Sequence, residues 1–222
     1  MNFLQLVQRL RLEVGASGTD STVVGSTGEW GRLVSWTSSA WDKIQRKHYN
    51  WRWMRRSITF STIALQGDYP YASAPLSITS FASWDATRFR VYQTSIGNEN
   101  FMTYLPYDYF IDTYRIGTTR TATGYPNVVS VSPVNALMLS LIPIDTSYTI
   151  SGTYYKGMQT LSADADIPEM PERFHMAIVY LAMQYYARWE SAPEVLASGK
   201  SEYSLILQEL ENDQLETIVV VR

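Results

Sequence analysis

The chain has no cysteine, and only His48 and His175 carry an imidazole among its 222 residues. Disulfide bridges and cysteine-based zinc sites are therefore excluded. No apolar run approaches the ~18 residues of a transmembrane helix. Polar residues interrupt the start of the chain, where a signal peptide needs an apolar core, namely Gln5, Gln8, Arg9 and Arg11. We expect no membrane partner.

Motifs for catalysis and cofactor binding are missing as well. The sequence has no Gly-x-Ser-x-Gly, and the Gly-rich segment 15–28 lacks the Gly-Lys-Ser/Thr ending of a phosphate loop. For His48 a helix-end position, and for His175 a packed one, fit better than catalysis. Asp164 and Asp166 could hold a cation, but a polar turn before a helix explains them more simply. We expect that the protein is not an enzyme and that it binds neither a cofactor nor a metal ion.

Aromatic residues are abundant, at 14% with 16 Tyr and 7 Trp. Such side chains suit surfaces that are buried on assembly, and they equally suit an aromatic-rich β-domain. The formal net charge is −3, but the charged residues are unevenly distributed along the chain. Residues 1–60 carry nine Lys/Arg against four Asp/Glu, whereas residues 160–222 carry four against eleven. The basic N-terminal and acidic C-terminal segments could attract each other within one chain or between neighbouring chains. The chain lacks the overall basic charge that is typical of nucleic-acid-binding proteins.

Two helices are predicted at the N-terminal end. Over Asn2–Val14 the apolar residues follow one face, with Asn2 and Gly15 as caps. Ser26 and Glu29 have capping-box spacing for a second helix to about Tyr49. Trp36 lies off the apolar face of that helix and needs a separate partner. Both helices are expected to bury one side.

From Ser57 to Thr160 the apolar period changes to two, and Gly and Pro punctuate the segments. Short strands with such turns predict a sandwich or barrel-like β-unit. A short helix is predicted around 106–114. The mixed sequence Trp51-Arg-Trp-Met-Arg-Arg56 could bind single-stranded nucleic acid, but tryptophan packing beside surface arginines is the favoured interpretation.

Helical pattern returns at Pro171 and continues to about residue 190. Ser191 and Glu194 repeat the capping-box spacing before a last helix to about Glu216, which Gly199 could kink. The predicted fold class is therefore α+β, an antiparallel helical bundle of N- and C-terminal helices with an inserted antiparallel β-domain. The predicted domains are a bundle of residues 1–56 and 161–222 and a β-rich insertion of residues 57–160.

The helix after Pro171 is apolar on all sides, so it must be covered on more than one side. Neighbouring subunits are a plausible source of that cover, and the β-prone C-terminal tail could add a strand to a sheet of its own or another chain. We therefore predict contacts with a neighbouring subunit or another partner protein for a set of residues on this helix, on the second helix and in the tail. They are Trp36, Met176, Val179, Tyr180, Met183, Ile218, Val219, Val220, Val221 and Arg222.

Several blocks of the chain, in this order, resemble the head-to-tail adaptor family of tailed bacteriophages, of the tail tubular protein A type found in short-tailed phages. The blocks are Gly28-Glu-Trp, Ala40-Trp-Asp-Lys-Ile-Gln, Trp51-Arg-Trp, Leu137 to Pro143, Tyr148 to Tyr155, and Pro168-Glu-Met-Pro-Glu-Arg-Phe-His-Met-Ala-Ile-Val-Tyr. The match is spread over about two thirds of the chain.

The resemblance implies a structural virion protein of the phage neck, assembled in the bacterial cytoplasm. It implies a homo-oligomeric ring, usually dodecameric, that docks on the portal protein and contacts a tail nozzle or tail tube protein. Double-stranded DNA passes through the lumen without sequence-specific binding. Alternatives are a head-completion or tail-terminator ring of a long-tailed phage, or a glycan- or host-surface-binding phage protein that uses the Tyr-rich β-domain.

Overall fold

The computed structural model of the chain describes residues 1–17 and 21–215. Within these residues the fold is mixed α+β, with five α-helices and eight β-strands. The chain divides into two compact units. Of the described residues, 1–17, 21–54 and 158–215 form the helical unit, and residues 55–157 form the β unit.

The helical unit contains four helices, and one of them contacts the other three. The helices are α1 (Phe3–Val14), α2 (Gly28–Lys47), α4 (Met176–Trp189) and α5 (Pro193–Gln214), with short 3₁₀ turns at Arg52–Met54 and Glu172–Phe174. Helix α4 packs against α1, α2 and α5, and α1 also packs against α2. Three helices of its own chain thus surround the most apolar helix.

The ends of α1 were predicted correctly from the sequence. The side chain of Asn2 accepts a hydrogen bond from the Gln5 N–H, and the Gln5 side chain accepts one from the Asn2 N–H, both at 2.9 Å. Gly15 closes the helix in the left-handed conformation, at φ 67°. The face between these caps is buried and consists of Phe3, Leu6, Val7 and Leu10.

The two later capping predictions were wrong. Thr27, not Ser26, is the N-cap of α2, and the Ser26 hydroxyl instead donates to the Val23 carbonyl at 2.8 Å. Ala192, not Ser191, precedes α5, and Pro193 occupies its first turn. The Ser26 hydroxyl is bonded to the turn that precedes α2, and Ser191 lies in a turn with its backbone at φ 54°. The capping-box spacing alone was therefore misleading.

Gly199 does not end or interrupt α5, which continues from Pro193 to Gln214. A Cβ at this position would lie 3.1 Å from the Tyr180 carbonyl oxygen and 3.2 Å from the Cβ of Met183. The missing side chain therefore allows α5 to approach α4 closely. This contact is one reason why Met183 is buried.

The β unit contains two four-stranded sheets. Their strands are β1 (Arg55–Ser61), β2 (Asp68–Tyr69), β3 (Ser83–Gln93), β4 (Asn98–Phe101), β5 (Thr103–Tyr104), β6 (Val128–Val131), β7 (Leu137–Leu139) and β8 (Tyr148–Tyr155). The first sheet has the order β1-β8-β3-β4 and is antiparallel throughout. The second has the order β2-β7-β6-β5, in which only the β5–β6 pair is parallel among the described strands. The predicted short helix is present as α3 (Tyr107–Tyr114).

The two sheets share one hydrophobic core. Phe89 and Val91 of β3, Ile150 of β8 and Leu137 and Leu139 of β7 are fully buried in it. Each such side chain removed from water contributes about 1.5–3 kcal/mol to the free energy of unfolding. Gly152 of β8 lies directly against the Phe89 ring, because a Cβ there would stand 2.4 Å from two ring carbons.

Candidate functional site

A stripe of basic and aromatic residues runs along α2 on the side away from its buried face. Arg32, Trp36, Ser39, Lys43 and Arg46 follow one another at intervals of four, three, four and three residues. This spacing places them on one side of a helix. The opposite side of α2 is buried and carries Trp30, Leu33, Thr37, Ala40, Trp41 and Ile44. The same helix thus anchors the unit and presents the stripe.

The last turns of α4 face this stripe, and the two helices enclose a shallow groove. Two adjoining depressions, of about 390 Å³ and about 680 Å³, share Ser39 and Tyr185. We call this surface the aromatic–basic groove. Its residues are Arg32, Trp36, Ser39, Lys43, Arg46, Tyr185, Arg188, Trp189 and Tyr203.

Cation–π contacts hold the two walls of the groove together. The Arg32 guanidinium carbon lies 5.0 Å from the centroid of the Trp189 ring, and Lys43 Nζ lies 5.8 Å from that of Tyr185. Each contact contributes about 0.5–1 kcal/mol at an exposed site. They also orient the aromatic rings, and Trp189 still keeps 60% of its surface exposed. Such an exposed indole is available to a partner.

The groove carries uncompensated positive charge. Among the described residues, 1–17 and 21–215, none of the side chains of Arg32, Lys43, Arg46 and Arg188 forms an ion pair. At one end of the groove, Lys47 is neutralised by Glu211, with Nζ 2.9 Å from Oε1. An acidic partner would therefore meet four cations without having to break an existing pair.

The tyrosines of the groove are hydrogen-bond donors at neutral pH. Burial raises the pKa of Tyr203 to about 12. Burial also raises the pKa of Tyr185, against the opposing effect of Arg188 and Arg46. Tyrosine, tryptophan and arginine are the residues most enriched in protein–protein contacts. The arrangement can therefore bind an acidic protein surface that carries an apolar side chain.

The structure places the residues predicted for subunit contacts in different environments. Trp36 lies in the groove, partly buried, with its ring 6.0 Å from that of Tyr186 in an edge-to-face contact. Val179 and Met183 are buried within the helical unit, and Met176 and Tyr180 are partly buried. The cover attributed to neighbouring subunits is thus largely supplied within the chain. Ile218, Val219, Val220, Val221 and Arg222 lie outside the described residues.

Sequence reasoning missed most of the groove. Trp189 and Tyr185 look like continuations of an apolar helix, and Arg32, Lys43 and Arg46 look like an ordinary solvated face. The available signal was the position of Trp36, a large aromatic residue within the polar stripe of α2. Only the packing of α4 beside α2 brings Trp189 opposite Arg32.

The residues considered for chemistry have structural roles. His175 is buried and its Nε2 lies 3.0 Å from the Met170 carbonyl oxygen, while His48 Nε2 lies 2.8 Å from Glu211 Oε1. The Asp164 carboxylate accepts hydrogen bonds from the Val23 N–H at 2.6 Å and from the Thr22 hydroxyl at 3.2 Å. The Asp166 carboxylate accepts hydrogen bonds from the N–H groups of Ser162 and Ala163, at 2.7 and 2.8 Å. The interpretation of both aspartates as turn residues agrees with these contacts.

The tryptophans of the 51–56 segment are packed rather than displayed. The rings of Trp51 and Trp53 stack at 4.4 Å and are buried, and Trp51 Nε1 donates to the Ile44 carbonyl at 3.0 Å. They do not form an exposed stacking platform for nucleic-acid bases.

Within residues 1–17 and 21–215, no three His, Asp or Glu side chains are grouped so that they could hold a metal ion. No helix in that part of the chain combines the length and apolar character that crossing a membrane requires.

Comparison with known families gives a match that covers the whole chain. The family model described as SU10 adaptor protein matches residues 1–222. No curated protein matches the chain.

Proposed function

The chain belongs to the SU10 adaptor protein family, and we propose that it forms a homo-oligomeric ring, a dodecamer, between the head and the tail of a bacteriophage. An adaptor of this kind is a structural virion protein, not an enzyme. In this proposal the ring docks on the portal protein and continues the DNA channel into the tail. The single observation that carries the proposal is the family match over residues 1–222.

The helical part of the chain is proposed to act as an antiparallel bundle built from its N- and C-terminal helices. We assign residues 1–56 and 161–222 to this domain and residues 57–160 to the inserted β-domain. The contacts of α4 with α1, α2 and α5 support a bundle that folds without its neighbours. Such a preformed domain can join a ring as a rigid body.

In this proposal the aromatic–basic groove forms contacts between proteins. A groove that exposes Trp189 and four cations is an unusual surface for a helix pair that has no partner. The C-terminal tail, Ile218–Arg222, is proposed to contact the portal, and a tail nozzle or tail tube protein is proposed to bind the opposite side of the ring. The ring would be assembled in the host cytoplasm.

The overall charge of the chain suits a DNA channel. A net charge of −3 does not favour tight phosphate binding. Double-stranded DNA can then pass through the lumen without being held by sequence-specific contacts. Local cations in the groove are compatible with this role if a protein surface neutralises them in the ring.

The test is co-sedimentation of the purified chain with the portal ring of the same phage, with bound copies counted by native mass spectrometry. Saturation at one chain for each portal subunit is the expected result. A folded chain that does not bind the portal would overturn the proposal, and binding to the distal end of a long tail would favour a terminator ring instead. Retained circular dichroism confirms that the chain tested is folded.

A further inference from the structure

The exposed side of α5 carries a stripe whose charge is opposite to that of the groove. Glu194, Glu202, Leu205 and Glu209 are separated by eight, three and four residues, so they lie on one side of the helix. We call these four residues the acidic stripe. The other side of α5 is buried, through Gly199, Leu207, Leu210 and Gln214. Since that side packs against α4, the acidic stripe faces away from the helical unit.

An apolar side chain stands in the middle of these carboxylates. Leu205 is 59% exposed. Glu194, Glu202 and Glu209 are exposed too, and none of them forms an ion pair with any residue of 1–17 and 21–215. The neighbouring acids differ, because Glu211 is paired with Lys47 and Asp213 with Arg173. The carboxylates without partners are thus the ones that face outward.

The stripe and the groove also match in length. Arg32 and Arg46 are 14 residues apart on α2, which corresponds to ~21 Å along a helix. Glu194 and Glu209 are 15 residues apart on α5, which corresponds to ~22 Å. Two helices laid side by side can therefore bring both ends of the stripe to cations at once. With the two helices parallel, Glu194 lies beside Arg32 and Glu209 beside Arg46, and Leu205 then falls near Lys43 and the Tyr185 ring that Lys43 contacts.

We infer that the acidic stripe of one copy docks into the aromatic–basic groove of a second copy. The occupant of the groove is thus the α5 helix of a neighbouring subunit, which presents Leu205 to the aromatic rings and its glutamates to the cations. This inference rests on the proposed ring, since it names the surfaces by which adjacent subunits would meet. Because the two surfaces differ, the contact is head-to-tail and can repeat around a closed ring.

Charge reversal tests the inference with a built-in rescue. The first variant, Lys43→Glu with Arg46→Glu, makes the groove acidic, and the second, Glu202→Lys with Glu209→Lys, makes the stripe basic. Each alone puts like charges together between neighbours and is expected to weaken cooperative loading on the portal at least about tenfold. The combined four-residue variant restores opposite charges and is expected to load like the wild type.

The control and the alternative outcomes separate this inference from the proposed function. Lys200→Glu changes the charge of α5 away from the stripe and should load normally. If the wild type loads and both reversal variants load equally well, the docking contact is refuted while the adaptor function stands. If the groove variant loses even the first bound copies and the stripe variant does not rescue it, the groove binds the portal and the inference is wrong. If the wild type does not bind, the proposed function itself fails.

A disulfide cross-link tests the contact directly, whichever way the two helices run relative to each other. Ser39 is midway between Arg32 and Arg46, and Ser201 is near the midpoint of Glu194 and Glu209, so the two approach in either orientation of the helices. The chain has no cysteine, so Ser39→Cys with Ser201→Cys introduces the only thiols. Oxidation of portal-loaded rings should give covalent chains of subunits. The matched pair Ser39→Cys with Lys200→Cys should not, and equal cross-linking by both pairs would exclude the proposed register.

Discussion

Arg32 of α2 lies over the indole of Trp189 of α4, with its guanidinium carbon 5.0 Å from the ring centroid. The contact joins the two walls of the aromatic–basic groove and orients a ring that remains 60% exposed. An exposed indole contributes little to folding of one chain, yet it offers a large apolar area to a partner. We therefore expect Trp189 to contribute more to binding than to folding.

Replacing Trp189 with alanine should impair assembly much more than stability. We expect the free energy of unfolding to fall by no more than about 1 kcal/mol, because the side chain is mostly exposed and its cation–π contact with Arg32 contributes about 0.5–1 kcal/mol. Loading on the portal should weaken about tenfold or more, as for a central aromatic residue of an interface. Urea unfolding and co-sedimentation measure the two effects. Tyr109→Ala, which removes a ring that is 71% exposed on α3, is the matched control and should load normally.

Gly152 should not tolerate a side chain. A Cβ at this position would stand 2.4 Å from two ring carbons of the buried Phe89, so Gly152→Ala forces the ring or the strand to move. We expect a loss of about 1–3 kcal/mol in the free energy of unfolding. Ser151→Ala, at the next position of β8, is the control. Equal urea midpoints for the two variants would show that the Phe89 ring can be displaced at no cost.

The stability of the chain should decrease when the pH falls below about 6.5. Burial lowers the pKa of His175 below its ordinary value of 6.5. Between the folded and unfolded pKa values the unfolded chain binds more protons, so stability is fully present above the unfolded pKa and is lost as the pH falls through the folded one.

The variant His175→Gln removes this titration and keeps a donor for the Met170 carbonyl. Its free energy of unfolding should depend less on pH than that of the wild type over the same window. Urea unfolding at a series of pH values measures both slopes. Identical slopes would mean that protonation of His175 is not coupled to unfolding.

Deletion of Ile218–Arg222 should weaken portal docking and leave the fold intact. The prediction follows from the β-prone sequence of the tail, which could add a strand to a partner. Co-sedimentation measures docking, and circular dichroism checks the fold. A tail of the same length made of Gly and Ser separates sequence from length. Normal docking by the deletion variant would exclude this role of the tail.

Local sequence signals located the elements well where a single helix face or cap was involved. Asn2, Gln5 and Gly15 were sufficient to predict α1, because their hydrogen bonds are made within a few residues. The short helix α3 and the strand-rich middle of the chain were also visible in the pattern. The capping boxes at Ser26 and Ser191 were wrong, since side-chain spacing does not reveal the competing turn that precedes each helix.

Predictions about what covers a surface were less successful. The apolar character of α4 was clear, but the sequence could not show that α1, α2 and α5 would cover Val179 and Met183. Gly199 indicated a kink, whereas it allows close packing of α5 on α4. In both cases the outcome depends on residues far apart in the chain.

The sequence by itself determined the class of the fold, the absence of cysteine chemistry and the uneven distribution of charge, because composition and short-range periodicity are properties of the linear chain. The family resemblance was also carried by residues in order. Tertiary structure decided which aromatic residues stay exposed and which charges find partners. Lys47 meets Glu211 within the chain, while Arg32, Lys43 and Arg46 are left facing outward. The reason is geometric, since only the packing of α2, α4 and α5 fixes which side of each helix remains uncovered.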